Sequence, residues 1–319
     1  MIDWQTTALV FPGQGSQEVG MGADLVAAFP QARLVFEQAD AILGFSLSEL
    51  CFHGPSDSLN DTFNTQPALY VMGMALVRIL EDACGAALAP LCMAGHSLGE
   101  LTALAAAGAM SFEDGLRLVR ERGRLMREAT VRAPGAMAAV LGLERDELAA
   151  LCADVSASTG QPLVIANDNC PGQLVISGDR LAVEQAIPLA ETKGAKRVVP
   201  LAVSVASHSP LMAAIAPEFE QALAAVPFQA PRVPVIGNVN AAPLQSPEAI
   251  RSELGAQLTS TVRWTESVQT MRALGVNTFI ELGPKDVLSG LIKRIDRDAQ
   301  RITLNSASSM QTFLDSLVN

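Results

Sequence analysis

Gly95-His96-Ser97-Leu98-Gly99 carries the clearest chemistry in the chain. A short apolar run, residues 91–94, leads into it, and helix-forming small residues, 100–107, lead out. Strand, Gly-x-Ser-x-Gly, then helix is the context of a nucleophile elbow, in which the serine hydroxyl stands exposed on a tight turn. Gly95 and Gly99 suit places where strand and helix close on each other and a Cβ would collide. A helix starting at Leu98 aims its free N–H groups and positive dipole end at charge developing beside Ser97.

A serine of this kind needs a base, and the chain holds three histidines. His96 adjoins Ser97 and is expected to turn away from its hydroxyl. His53 lies in loop sequence and reads as a surface or capping residue. His208, in Ser204-Val205-Ala206-Ser207-His208-Ser209-Pro210, is expected at the end of a β-run just before a helix. It reads either as a hydrogen-bonded structural residue or as the general base, and the elbow serine favours the base. Pro12-Gly13-Gln14-Gly15-Ser16-Gln17 follows the first apolar run and lacks the spacing of a phosphate or dinucleotide loop. It is either a plain strand–helix turn or the second half of an oxyanion hole.

Residues 113–129 are expected to form a helix opened by Ser111 and Asp114. Its apolar stripe reads Leu118, Val119, Leu125, Met126 and Ala129, and Arg122 falls on that stripe. An arginine aimed into a core must meet an anion, since an unpaired buried charge costs about 3–5 kcal/mol. The partner is either a buried Asp or Glu of the protein or the carboxylate of a substrate held bidentately.

The elements that must position these groups alternate between helix and strand. Residues 22–50 show helical periodicity, 54–64 read as a polar loop, and Gln66-Pro67 opens a helix to about residue 83. Between 131 and 201 the order becomes β-α-β-β-α-β, with strands at 136–141, 163–166, 173–177 and 197–203. That order is a ferredoxin-like unit. It is expected as an insertion, residues 131–201, into a larger α/β domain built from 1–130 and 202–319, with a cleft between the two. Asn167 and Asn169 either line that cleft or serve their own turn. Strands at 233–238 and 279–282, with helices at 247–257, 262–274 and 287–295, continue a mostly parallel sheet covered on both faces.

The 319 residues are 49% hydrophobic with a formal charge of −11, which argues against nucleic-acid and anionic-membrane partners. No leader and no membrane span is read in the sequence. Five scattered cysteines read as reduced core residues of a cytoplasmic protein, and no Cys/His spacing suggests a metal.

Taken together, these motifs resemble the malonyl-CoA:acyl-carrier-protein transacylases and related polyketide acyltransferases. The resemblance spans nearly the whole chain. It rests on the loop at 11–17, Thr65-Gln66-Pro67-Ala68-Leu69, Gly95 to Glu100, Arg122-Gly123, the run from Asn167 to Gln173, Ser207-His208, Gln257-Leu258-Thr259 and Glu281-Leu282-Gly283-Pro284. It implies a hydrolase-like core with a ferredoxin-like insertion. It also implies Ser97 as nucleophile, His208 as base, backbone N–H groups of Gln14 and Leu98 as oxyanion hole, and Arg122 as holder of the malonyl carboxylate. The backbone carbonyl of Gln257 would orient His208, where residue reading alone finds no acid; His96, Asn167, Asn169 and Ser207 would line the cleft. Malonyl-CoA and a phosphopantetheine-bearing acyl carrier protein are the implied partners of a monomer that needs no cofactor. A different extender unit, an acyl hydrolase of the same fold and a non-catalytic docking protein are the alternatives. Lys193, Lys196 and Arg197, or Lys285, Lys293 and Arg294, are candidate docking cations for an acidic carrier.

Overall fold

A computed structural model describes residues 2–202 and 205–318. Its strands are β1 (Thr7–Phe11), β2 (Cys92–Gly95), β3 (Gly135–Leu141), β4 (Leu163–Cys170), β5 (Gln173–Asp179), β6 (Arg197–Pro200), β7 (Val235–Ile236), β8 (Pro243–Leu244), β9 (Val262–Arg263), β10 (Thr278–Leu282) and β11 (Gln300–Leu304). Six of them form a sheet ordered β11-β10-β1-β2-β7-β8, parallel except for the β7–β8 edge. Side chains alternate across it. Leu9 and Phe11 join one core with the helix Thr62–Cys84, while Ala8 and Val10 join another with the helices Trp264–Ala273 and Val287–Ile295. Burial on both faces explains why these strands read as continuous apolar runs. Among the described residues no helix is long and apolar enough to cross a membrane.

A second sheet is ordered β6-β3-β5-β4-β9. Its first four strands are mutually antiparallel and pack on the helices Arg145–Thr159 and Arg180–Thr192, around a core of their own that includes Val140, Leu148, Ile176 and Val183. β9 comes from outside 131–201 and pairs in parallel with β4, Asn167 opposite Val262. The expected helix at 262–274 therefore begins only at Trp264. β6 ends at Pro200, and position 203 of the expected strand 197–203 lies outside the described residues.

Other departures from expectation have local causes. Residues 22–50 are three helices, Ala23–Ala28, Pro30–Leu43 and Leu47–His53. Phe29 is extended before Pro30, and Gly44 ends the second helix with φ 73°. The expected loop at 54–64 contains the short helix Ser56–Asn60, and the long helix starts at Thr62 rather than Gln66. Asp61 caps it by accepting the Phe63 N–H at 2.9 Å. Pro67 then sits inside the helix and donates nothing to Phe63 O; Arg120 Nη1 donates to that oxygen at 2.6 Å instead. β8, only two residues long, β11 and the helix Ala307–Val318 were not foreseen. Four cysteines are buried, but Cys84 is exposed.

The junction of β1, β2 and the helix Leu98–Ala106 is packed backbone to backbone. A Cβ on Gly95 would lie 1.9 Å from the carbonyl of Gly99, and one on Gly99 would lie 2.0 Å from Phe11 O. Gly99→Ala or Gly95→Ala is expected to destabilise the protein by more than about 3 kcal/mol, since backbone cannot yield as a side chain does. Urea titration checks this, and a loss below about 1 kcal/mol would contradict it.

Candidate active site

β2 feeds directly into the elbow. Ser97 takes φ 51° and ψ −105°, a conformation that costs a non-glycine residue free energy and is held by the packing of Gly95 and Gly99 around it. Asn238, just beyond β7, clamps the turn from the neighbouring strand. Its Oδ1 accepts the Ser97 N–H at 2.7 Å, and its Nδ2 donates to Gly95 O at 2.7 Å. Asn238 was read from sequence only as the end of a strand. The signal was its place after a strand that, in a parallel sheet, lies beside the elbow strand.

His208 is not at a strand end. It stands in a turn with φ 58°, ahead of the 3₁₀ segment Pro210–Ala214. Its Nε2 lies 2.8 Å from Ser97 Oγ, and its Nδ1 lies 2.8 Å from the carbonyl oxygen of Gln257. A carbonyl only accepts, so Nδ1 carries the hydrogen and Nε2 presents a lone pair to the hydroxyl. Burial, and then the Arg122 charge, push the imidazole down to about 3. A neutral imidazole is what a base acting on a hydroxyl requires.

Arg122 sits on the buried face of the helix Phe112–Arg132, 2% exposed. Its hydrogen bonds all go to neutral oxygens. Nη1 donates to Gln66 Oε1 at 2.8 Å, and Nη2 to Gln257 Oε1 at 3.0 Å and to Ser97 Oγ at 3.2 Å. Among the described residues its buried Nε–H has no hydrogen-bond partner. The protein-carboxylate reading of this arginine thus finds no direct ion pair. Burial lowers the guanidinium to about 10, still charged at neutral pH.

Gln257 ties these groups together with its side chain as well as its carbonyl. Its Nε2 donates to Ser97 O at 3.0 Å and to Glu100 Oε2 at 2.8 Å, so its Oε1 must face Arg122. Glu100 also accepts the Asn238 N–H at 3.2 Å. Burial, and then nearby Glu253, raise the Glu100 carboxyl well above the usual range. Sequence reasoning missed Glu100, Gln66 and the Gln257 side chain. A charged residue on a helix otherwise made of small and apolar groups was the available signal for Glu100.

The remaining candidates divide. His96 turns away from Ser97 Oγ, as expected, and its Nε2 lies 2.8 Å from Asn169 Oδ1 in β4, joining the two sheets beside the elbow. Asn169 and Asn167 are both buried within β4 rather than in its turn. Ser207 is half-buried next to His208. Leu98 opens the helix behind Ser97, and Gln14 follows β1, the strand paired with β2 through Phe11 and Gly95. The two loops are therefore neighbours at the same end of the sheet. His53 is exposed near Glu49. Cavities of about 860 Å³ (around Arg78, Glu81 and Arg232) and about 440 Å³ (Pro171, Lys293, Arg294, Arg297) include none of these site residues in their walls.

A hydroxyl bonded to a neutral imidazole, on a helix N-terminus, can attack a carbonyl carbon and hold the acyl group as an ester. Residues 8–311 match the model of the acyl transferase domain family. The chain belongs to that family. Among curated acyl transferases it is 45% identical over 308 residues to the malonyl CoA-acyl carrier protein transacylase of Escherichia coli K12, covering 97% of this chain and 98% of that one. The Bacillus subtilis protein of the same name is 43% identical, covering 97% and 96%. Among solved acyl transferases, an acyl carrier protein S-malonyltransferase from Vibrio cholerae superposes with a TM-score of 0.92 at 44% identity, covering 97% and 99%. A malonyl-transacylase in complex with a type II polyketide acyl-carrier protein gives 0.93 at 43%, covering 97% and 99%.

The lowered His208 sets a pH signature for this acyl transferase. The acid limb of kcat/KM for Ser97 acylation should fall well below pH 6.5, the ordinary imidazole value. Unfolded His208 takes up a proton near that value and the folded residue does not, so stability present above pH 6.5 should decline as the pH falls towards 3. A pH–rate profile by quenched intact-protein mass checks the first statement, and an acid limb at or above 6.5 would contradict it.

Proposed function

We propose that the chain carries a malonyl group from malonyl-CoA, through an ester on Ser97, to the phosphopantetheine thiol of an acyl carrier protein. The observation that carries this reading is Arg122. Its guanidinium is buried and held by neutral oxygens, with Nη2 3.2 Å from the hydroxyl, and among the described residues its Nε–H has no hydrogen-bond partner. A substrate carboxylate supplies the missing counter-charge, and malonyl places one two carbons from its thioester carbonyl.

In the first half-reaction Ser97 Oγ attacks the thioester carbonyl and its proton passes to His208 Nε2. The Gln257 carbonyl stabilises the resulting imidazolium through Nδ1–H. The tetrahedral oxyanion lies against the backbone N–H groups of Leu98 and Gln14, and one such donor is worth about 2.7–4 kcal/mol. Collapse expels coenzyme A as thiolate, which takes the proton from His208. The second half-reaction reverses these roles, with the carrier thiol giving its proton to His208 and attacking the ester. The carboxylate bound at Arg122 also offsets the positive charge that depresses His208, so the imidazole becomes more basic once the diacid is in place.

The carrier is expected to meet the cations around the 440 Å³ cavity, where Lys293 and Arg297 flank Arg294, itself tied to Pro171 O and Gln173 Oε1. The same reading has the chain working as a cytoplasmic monomer, with the coenzyme A thioester as substrate and no further cofactor. Residues 1–130 with 202–319 make the large domain and 131–201 the smaller one, supported by the separate core of the second sheet.

Two variants test the reading by intact-protein mass after incubation with acyl-CoA. Ser97→Ala should gain no malonyl adduct. Arg122→Ala should lose at least about 100-fold in malonyl acylation, about 2.7 kcal/mol, while acetylation holds steady or rises. Equal losses with malonyl- and acetyl-CoA would count against a carboxylate-holding Arg122.

A further inference from the structure

We infer that Thr62 is a positioning residue that couples Arg122 to the Gln14 loop; this rests on the malonyl-transfer reading. Thr62 is the first residue of the helix Thr62–Cys84 and is 9% exposed. Its Oγ1 accepts from Gln66 Nε2 at 2.9 Å, one turn along, and donates to Gln14 Oε1 at 2.9 Å. Gln66, fully buried, accepts from Arg122 Nη1 at 2.8 Å.

The direction of every bond in this chain follows from its charged end. A guanidinium only donates, so Gln66 must show it the carbonyl oxygen. The Gln66 amide nitrogen then faces Thr62, with Met126 Sδ, a weak acceptor, as its other neighbour at 3.1 Å. Thr62 accepts that N–H, and its single hydroxyl hydrogen goes to Gln14. The Gln14 side chain is otherwise exposed. Elsewhere the loop is pinned at Ser16, which bonds Gly13 O, and at Gln17, whose Nε2 bonds Asn60 Oδ1 at 2.7 Å. Thr62 is thus the link through which the charge that holds the substrate carboxylate acts on the residue whose backbone N–H faces the oxyanion. Neutralising the guanidinium with a diacid, and not with acetyl, changes the head of the chain and is felt at Gln14.

Rapid-quench acylation followed by intact mass, with malonyl- and acetyl-CoA, tests this on the full chain. Thr62→Val should lower the maximal malonylation rate about tenfold, with KM for malonyl-CoA within about twofold, and narrow the malonyl-to-acetyl rate ratio at least about threefold. Thr62→Ser should stay within about twofold of wild type. Gln14→Ala, an exposed change that keeps its backbone N–H, should match Thr62→Val, and the double variant should be no slower than either. An unchanged malonylation rate, an unchanged ratio, a Thr62→Ser variant as slow as Thr62→Val, or additive losses would each overturn the coupling. Should Thr62→Val lack a cooperative thermal transition, Gln14→Ala at the wild-type rate overturns it equally. A wild type that takes acetyl but no malonyl sinks the substrate reading, and the coupling with it; a wild type that takes malonyl beside an unchanged Thr62→Val sinks the coupling alone.

Discussion

A buried positive charge held by neutral amide and hydroxyl oxygens governs this site. Arg122 is surrounded by Gln66, Gln257 and Ser97, and each must turn an oxygen towards it. Because both glutamines are thereby oriented, their nitrogens are committed as well, one to Thr62 and the other to Glu100 and Ser97 O. The orientation of both glutamines beside the hydroxyl follows from one guanidinium. A carboxylate in direct contact would have neutralised that charge and left the network without a reason to be ordered in this sense.

The second constraint is steric. Three backbones meet where Phe11, Gly95 and Gly99 pass within a Cβ's reach of one another, and Ser97 is forced into positive φ between them. Asn238 returns hydrogen bonds to both sides of that turn, offsetting part of its strain. Electrostatics and sterics converge at Ser97. The packing puts its hydroxyl out on the turn, and His208 and Arg122 then fix which lone pair and which hydrogen it shows to each.

Much of this was legible beforehand because short-range rules produce it. The elbow follows from two glycines flanking a serine between an apolar run and a run of small residues. Arg122 is visible as a charge on a helical stripe of apolar residues, and the helix start near Ser111 follows from capping. Where local rules competed, boundaries moved. Pro67 suggested a helix start, yet Asp61 caps the helix earlier, because Arg120 satisfies the carbonyl that proline leaves free. β9, two residues long, has no periodicity to read and exists through its pairing with β4.

The sequence alone determined the elbow serine, the cation on an apolar helix stripe and the alternation of strands and helices, since each is written in residue type and local spacing, and it narrowed the histidine beside the serine to one of three. Only the tertiary structure decided how they meet. That Arg122 has no acid in contact among the described residues, that Gln257 meets His208 through its carbonyl and Arg122 through its amide, and that Glu100, Asn238 and Thr62 join the same hydrogen-bond network all depend on contacts between distant segments. Hydrogen-bond partners separated by fifty to a hundred and fifty residues, roughly the span from Gln66 to Arg122 and from Glu100 to Gln257, leave no local pattern, because their geometry is set by packing rather than by the chain that joins them.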